Sequence, residues 1–128
     1  MGQKKNIKTK KKIMVVEDEE NLRYMYEREL TKEGYEVTLA GDGKEALNKI
    51  NQKLPDLIIL DIRMPNMDGL EALGSIVQRH KKIPVVINTA HAYYQDNFIS
   101  WLADAYITKS PDLTELKDTI ADLLQKAK

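Results

Sequence analysis

The sequence predicts an α/β fold of the (βα)5 type, a doubly wound five-stranded parallel sheet in the order 2-1-3-4-5. Three observations predict it. Five short apolar runs recur along 128 residues, and a segment with apolar residues at helical spacing follows each. Such alternation implies parallel strands joined by right-handed crossovers, with helices on both faces. The runs also differ in kind: the first, third and fourth are continuously apolar, as strands buried on both faces are. The second alternates and the fifth is mixed, which suits sheet edges. The order 2-1-3-4-5 satisfies both patterns.

Each element has its own signal. Ile13-Met-Val-Val16 is the first strand, and Leu22, Met25, Tyr26 and Leu30 mark the first helix, closed by Gly34. From Tyr35 to Ala40 the chain alternates, with Tyr35, Val37 and Leu39 against Glu36 and Thr38. Asp42-Gly-Lys-Glu45 resembles a capping box and opens a helix carrying Ala46, Leu47 and Ile50, which Pro55 ends. Leu57-Ile-Ile-Leu60 is the third strand. A loop over 65–69 leads to a third helix marked by Leu70, Leu73, Ile76 and Val77, with His80 an exposed residue at its end. Pro84 introduces Val85-Val-Ile-Asn88. A fourth helix is expected over 93–102, a fifth strand over Ala105-Tyr-Ile-Thr108, and a last helix on Leu113, Leu116, Ile120, Leu123 and Leu124.

Composition bounds the function. A hydrophobic content of 42% supplies a core for one domain, read as residues 12–126 after a basic lead at 1–11. The absence of cysteine excludes disulfides, Fe–S clusters and thiol chemistry, and fits the cytoplasm. No apolar run approaches the roughly 20 residues of a membrane span, and no secretory leader is present, so no membrane association is expected. The zero net charge hides an asymmetry: residues 1–12 carry six lysines and no acid, leaving the other 116 residues at −6. The lead reads either as a tether to an acidic surface or as a solvated start. The acidic body has no basic stripe, which argues against direct nucleic-acid binding.

In open parallel sheets, sites form beyond the carboxyl ends of the strands where their order reverses, here between strands one and three. The residues that follow the runs are Glu17 and Asp18, Asp61, Asn88 and Thr89, and Thr108 and Lys109. Three carboxylates crowded together need a cation among them. An all-oxygen donor set favours a hard ion, and Mg2+ fits best because it keeps waters and accepts a phosphate oxygen. A carboxylate can also act as a nucleophile and become an aspartyl phosphate. Asp61, central in the sheet, is the best acceptor. Mg2+, the Lys109 ammonium, and the Thr89 hydroxyl with the Ala90 N–H would then each hold one phosphoryl oxygen.

At these residues the sequence resembles the receiver domains of two-component response regulators, the CheY-like family with the flavodoxin-like fold. The resemblance spans about residues 12–126. It rests on Ile13-Met-Val-Val-Glu-Asp-Glu19, Pro55-Asp-Leu-Ile-Ile-Leu-Asp-Ile-Arg-Met-Pro-Asn-Met-Asp-Gly69, Val85-Val-Ile-Asn-Thr-Ala90 and Ala103-Asp-Ala-Tyr-Ile-Thr-Lys109. It implies Asp61 as phosphoacceptor and Thr89 and Lys109 as phosphoryl contacts. Glu17, Asp18, Asp61 and the Arg63 backbone carbonyl would be the Mg2+ ligands. Tyr106 matches an aromatic switch position coupled to Thr89. Arg63 and His91 match positions that tune autodephosphorylation, and their bulk and charge are expected to slow attack by water.

The sequence also departs from the family pattern. Glu17 stands where Asp is commoner. Ser110 replaces a proline whose preceding bond is typically cis; a cis Lys109–Ser110 bond would cost about 3–4 kcal/mol, so either that strain or a re-routed loop is expected. Trp101 and Leu102 stand where a small residue and a glycine are usual. Trp101 reads either as local packing or as an aromatic anchor on the face of the fourth predicted helix, fifth strand and fifth predicted helix, the family's docking surface.

The resulting expectation is a phosphoryl-accepting switch, not an enzyme with small-molecule turnover. It would be charged by a sensor histidine kinase or a phosphotransfer protein, and read by a downstream partner at the Trp101/Tyr106 face. A monomer is expected, with a phosphorylation-linked dimer as an alternative. No output domain fits in the chain, so a stand-alone regulator and a receiver excised from a longer protein are both open. Three rivals differ in class. A flavodoxin-like electron carrier needs a phosphate loop after strand one, where Glu17-Asp-Glu-Glu20 would repel phosphate. An Asp-nucleophile phosphatase wants a second Asp two residues on, where Arg63 stands. A phosphorylation-independent interaction module would not need the complete acid, hydroxyl and lysine set.

Overall fold

In the computed structural model the described residues are 9–62, 69–90 and 101–126. They form β1 (Lys12–Val16), α1 (Glu20–Lys32), β2 (Glu36–Ala40), α2 (Gly43–Gln52), β3 (Leu57–Leu60), α3 (Gly69–Arg79), β4 (Val85–Thr89), β5 (Ala105–Thr108) and α4 (Thr114–Lys126). The helix expected over 93–102 falls mostly outside the described residues; Trp101 and Leu102 lie in a 3₁₀ turn. The fifth predicted helix is therefore α4. All strand pairs are parallel, in the order β2-β1-β3-β4-β5. No helix among the described residues is long and apolar enough to cross a membrane.

Side chains of a strand alternate between faces, so each central strand feeds two cores. Met14, Val16, Ile58, Leu60, Val85 and Ile87 pack against Ala46, Ile50, Leu73 and Ile76 of α2 and α3. Ile13, Val15, Leu57, Ile59, Val86 and Ile107 pack on the other face against Tyr26 and Leu30 of α1 and Leu116 and Ile120 of α4. The edge strand β2 keeps Glu36 exposed and Val37 and Leu39 half-buried.

Local chemistry sets the ends. Gly34 has φ +97°, with its N–H donating to the Thr31 carbonyl and the Tyr35 N–H to that of Leu30, so a left-handed residue closes α1. The Asp42 carboxylate accepts from the Glu45 N–H at 2.8 Å, as a cap should. The return bond differs from the expected box: Glu45 accepts from Gly41, at 2.7 Å, instead of from Asp42. His80, expected to be exposed, is half-buried, because its N–H donates to Ile76 and its carbonyl accepts from Ile83 in the turn that closes α3.

The stretch after β5 takes the re-routed course. No peptide bond among the described residues is cis, so Lys109–Ser110 is trans. The Ser110 hydroxyl accepts from the Asp112 N–H at 3.1 Å. The Asp112 carboxylate in turn accepts from the Thr114 N–H and hydroxyl, at 3.0 and 2.7 Å, and so opens α4. At the other side of the sheet end, Gly69 starts α3 against the β3 exit. A Cβ there would lie 2.1 Å from Ile62 Cα and 2.5 Å from the Asp61 carbonyl oxygen, so only glycine fits.

Candidate functional site

The strand alternation that builds the α1/α4 core also builds the site. Two residues beyond Val15, Ile59, Val86 and Ile107 stand Glu17, Asp61, Asn88 and Lys109. The apolar row thus gives way to a polar row at the carboxyl edge of the sheet. Main-chain ladders carry it there: Glu17 N–H donates to Ala40, Asp61 N–H to Val16, and Lys109 N–H to Thr89.

Lys109 joins the row. Its Nζ lies 2.7 Å from Glu17 Oε1 and 2.7 Å from Asp61 Oδ2. Glu17 and Asp61 are 2% and 5% exposed, whereas Asp18 is open to solvent. The second Glu17 oxygen accepts from the Glu19 N–H at 3.1 Å. Arg23, one turn into α1, donates to the Glu17 and Asp18 carbonyls at 2.8 and 3.4 Å and so pins the loop that carries both acids.

Burial raises the Glu17 carboxyl above its ordinary value, and the nearby Asp61 charge adds to this; the Lys109 ammonium and the Glu19 amide pull against it. Burial alone would lower Lys109, but its hydrogen bonds to Asp61 and Glu17 outweigh that and hold it above the ordinary lysine value. The buried Tyr26 phenol is raised by desolvation, partly offset by its hydrogen bond with Asn88.

Glu17, Asp18 and Asp61 each offer a carboxylate oxygen, all within 4.8 Å of one another. Octahedral Mg2+ holds oxygens at about 2.0–2.1 Å, which sets edges of about 2.9 Å and diagonals of about 4.1 Å, so small side-chain turns would gather the three. The donor set fits that ion. Lys109 fills the inner side of the cluster and Asp18 lines its open side.

Of the residues expected at the site, Glu17, Asp18, Asp61 and Lys109 come together. Thr89 is fully buried as the last residue of β4, on the Ile87 face, and is tied to Lys109 through the main chain. Tyr106 is half-buried against the α2/α3 core. Trp101 is 72% exposed. Arg63 and His91 lie outside the described residues. Sequence reasoning missed Arg23 and the Tyr26–Asn88 pair. The signal for the pair was present, since Asn88 follows Val86 by two residues and Tyr26 puts a polar tip into an apolar stripe.

The sequence pattern described as the response regulator receiver domain matches residues 13–121. The chain belongs to that family. The receiver is similar to the response regulator TrrA of Thermotoga maritima, solved in complex with Mg2+–BeF, at 42% identity and a TM-score of 0.86, covering 88% of this chain and 98% of that one. TrrA has also been solved in complex with the histidine kinase ThkA, where the likeness is 43% identity and a TM-score of 0.84 over 89% of this chain and 98% of that one. A curated relative is the alkaline phosphatase synthesis transcriptional regulatory protein PhoP of Bacillus subtilis, 34% identical over 119 residues, 91% of this chain and 50% of that protein. The receiver spans about half the length, or less, of the first curated relatives it matches.

Proposed function

We propose that this receiver is a phosphoryl-accepting switch in which a histidine kinase or phosphotransfer protein donates to Asp61. The observation that carries the reading is the Lys109 ammonium, 2.7 Å from both Asp61 and Glu17 in a buried cluster whose third acid, Asp18, faces solvent. An Asp61 oxygen attacks phosphorus, a P–O bond forms, and the P–N bond to the donor imidazole breaks; with a proton already on the other ring nitrogen of that imidazole, this leaves an acyl phosphate and a neutral histidine. Lys109 remains beside Asp61 to meet one phosphoryl oxygen, with the Thr89 hydroxyl and the Ala90 N–H meeting another. Glu17, Asp18 and Asp61, with the Arg63 carbonyl that the family resemblance implies, would hold Mg2+, which would supply the positive charge that a dianion needs in this acidic place. The complex of TrrA with a histidine kinase and its complex with Mg2+–BeF support donor and ion for this chain.

The new charge at Asp61 acts on Thr89 and Tyr106, and the readout surface is the face of β5, α4 and the segment preceding β5. The exposure of Trp101 there supports the anchor reading over the packing one. Arg63 and His91 slow the return attack of water. Turnover is thus limited to self-catalysed acceptance and slow loss of one phosphoryl group. Mass spectrometry after incubation with acetyl phosphate and Mg2+ tests this. One phosphate adduct is expected on wild type and none on Asp61→Asn; labelling that survives in Asp61→Asn, or needs no Mg2+, overturns it.

A further inference from the structure

We propose that Tyr26 is a positioning residue for this reaction: hydrogen-bonded to Asn88 beneath the acidic cluster, it fixes the carboxamide that flanks Asp61 and so orients acceptor and Lys109. The inference rests on the phosphoryl-acceptor reading above. Tyr26 and Asn88 are 2% and 3% exposed, inside the core face shared by α1, α4 and the sheet. Two polar groups buried there need partners, and among the described residues no buried side-chain nitrogen or oxygen lacks one. The bond that joins them spans from helix to sheet.

Its place gives it a function. The register Val16↔Leu60 and Leu60↔Ile87, continued by one residue, sets Glu17, Asp61 and Asn88 side by side on one face. On its other side Asn88 pairs with Ile107, two residues before Lys109. Glu17, Asp61 and Lys109 all act electrostatically on the Tyr26 phenol, in keeping with the place that the register gives Asn88. Arg23, three residues before Tyr26 and so on the same side of α1, holds the Glu17 and Asp18 carbonyls. One helix face therefore grips both the loop of metal-binding acids and the end of β4. Asn88 also lines a void of about 10 Å³ beneath the loop that follows Lys109, with Ser110 and Leu113 among its walls. A carboxamide released from Tyr26 is no longer held in one orientation, and the Lys109 loop then loses its fixed neighbour.

An apolar pair would fill the same volume without the cost of burying two polar groups, so the gain lies in orientation. The test compares wild type, Tyr26→Phe, Asn88→Leu and the double variant. Phosphorylation by acetyl phosphate is timed at saturating Mg2+, and urea unfolding is measured in parallel. Loss of one oriented hydrogen bond predicts phosphorylation slower by about fivefold in Tyr26→Phe. Asn88→Leu and the double variant should show the same loss, because each breaks the same bond. The urea curves give the folded fraction of each chain at assay temperature and rates are referred to it, so a merely structural role leaves the corrected rate alone. Labelled wild type with Tyr26→Phe within about 1.5-fold of it, or losses that multiply in the double variant, overturns the inference alone. Wild type that takes no phosphoryl group overturns the reading beneath it as well.

Discussion

Replacing Lys109 with Met removes the ammonium 2.7 Å from both Glu17 and Asp61 and keeps most of the apolar stem. Both carboxylates are almost fully buried, so the variant must hold unopposed charge or take up a proton. Breaking a buried pair by deleting one partner costs roughly 3–5 kcal/mol. The proton route sets a ceiling. An ordinary carboxyl of pKa 4.5 costs about 3.4 kcal/mol to protonate at pH 7, at about 1.36 kcal/mol per pH unit, and Glu17 lies above that value and costs less. Lys109→Met should therefore lose roughly 2–3 kcal/mol at pH 7. That corresponds to about 6–12 °C in Tm for a domain of this size.

The assay is urea unfolding in EDTA at pH 7 and pH 5. At pH 5 the proton costs under about 0.7 kcal/mol, so the deficit should shrink markedly. Mg2+ should then raise the Tm of the variant more than that of wild type, because the acids have lost their internal counter-charge. A deficit below about 0.5 kcal/mol at pH 7, or one equal at both pH values, refutes the claim that this ammonium holds the cluster together.

The pH dependence of the metal-free chain carries a second sign. Glu17 is raised above 4.5, so between that value and its folded value the folded chain binds a proton that the unfolded chain lacks, and its contribution to stability falls as pH rises through that window. The stability of Glu17→Gln minus that of wild type should therefore grow with pH above 4.5; a constant difference across urea titrations would falsify the assignment. Lys109 has the same sign in a separate window: its contribution is full below 10.5 and is lost as pH rises through its raised folded value. Gly69→Ala puts a Cβ 2.1 Å from Ile62 Cα, which forces the β3 exit to shift and should cost about 3 kcal/mol or more in urea unfolding. Asp42→Ala should lose about 1 kcal/mol by the same measure, with most of it kept in Asp42→Asn, because the cap bond to the Glu45 N–H is the interaction removed.

Much of the fold was legible because strand and helix periods differ. The continuous runs at Ile13–Val16, Leu57–Leu60 and Val85–Ile87 require burial on both faces, and the sheet buries them so. The three acids and Lys109 were legible for a related reason: they follow the apolar runs directly, and parallel strands end on one edge. Other features were not. His80 and the return bond of Glu45 depend on which neighbour a turn brings close, and no period encodes that. The course after Lys109 was open between two routes until Ser110 and Asp112 were seen to satisfy the backbone on the way into α4.

The sequence by itself determined which residues reach the carboxyl edge of the sheet, since alternation and strand order are local patterns that hydrophobic burial enforces. Only the tertiary structure decided how those residues meet. That Lys109 serves Glu17 as well as Asp61 and that Tyr26 closes on Asn88 are contacts between segments far apart in the chain, and that Gly69 presses on Ile62 depends on how the β3 exit meets the start of α3. Register and helix packing set such distances to within an ångström, and hydrogen bonds, ion pairs and steric contacts are decided at that scale.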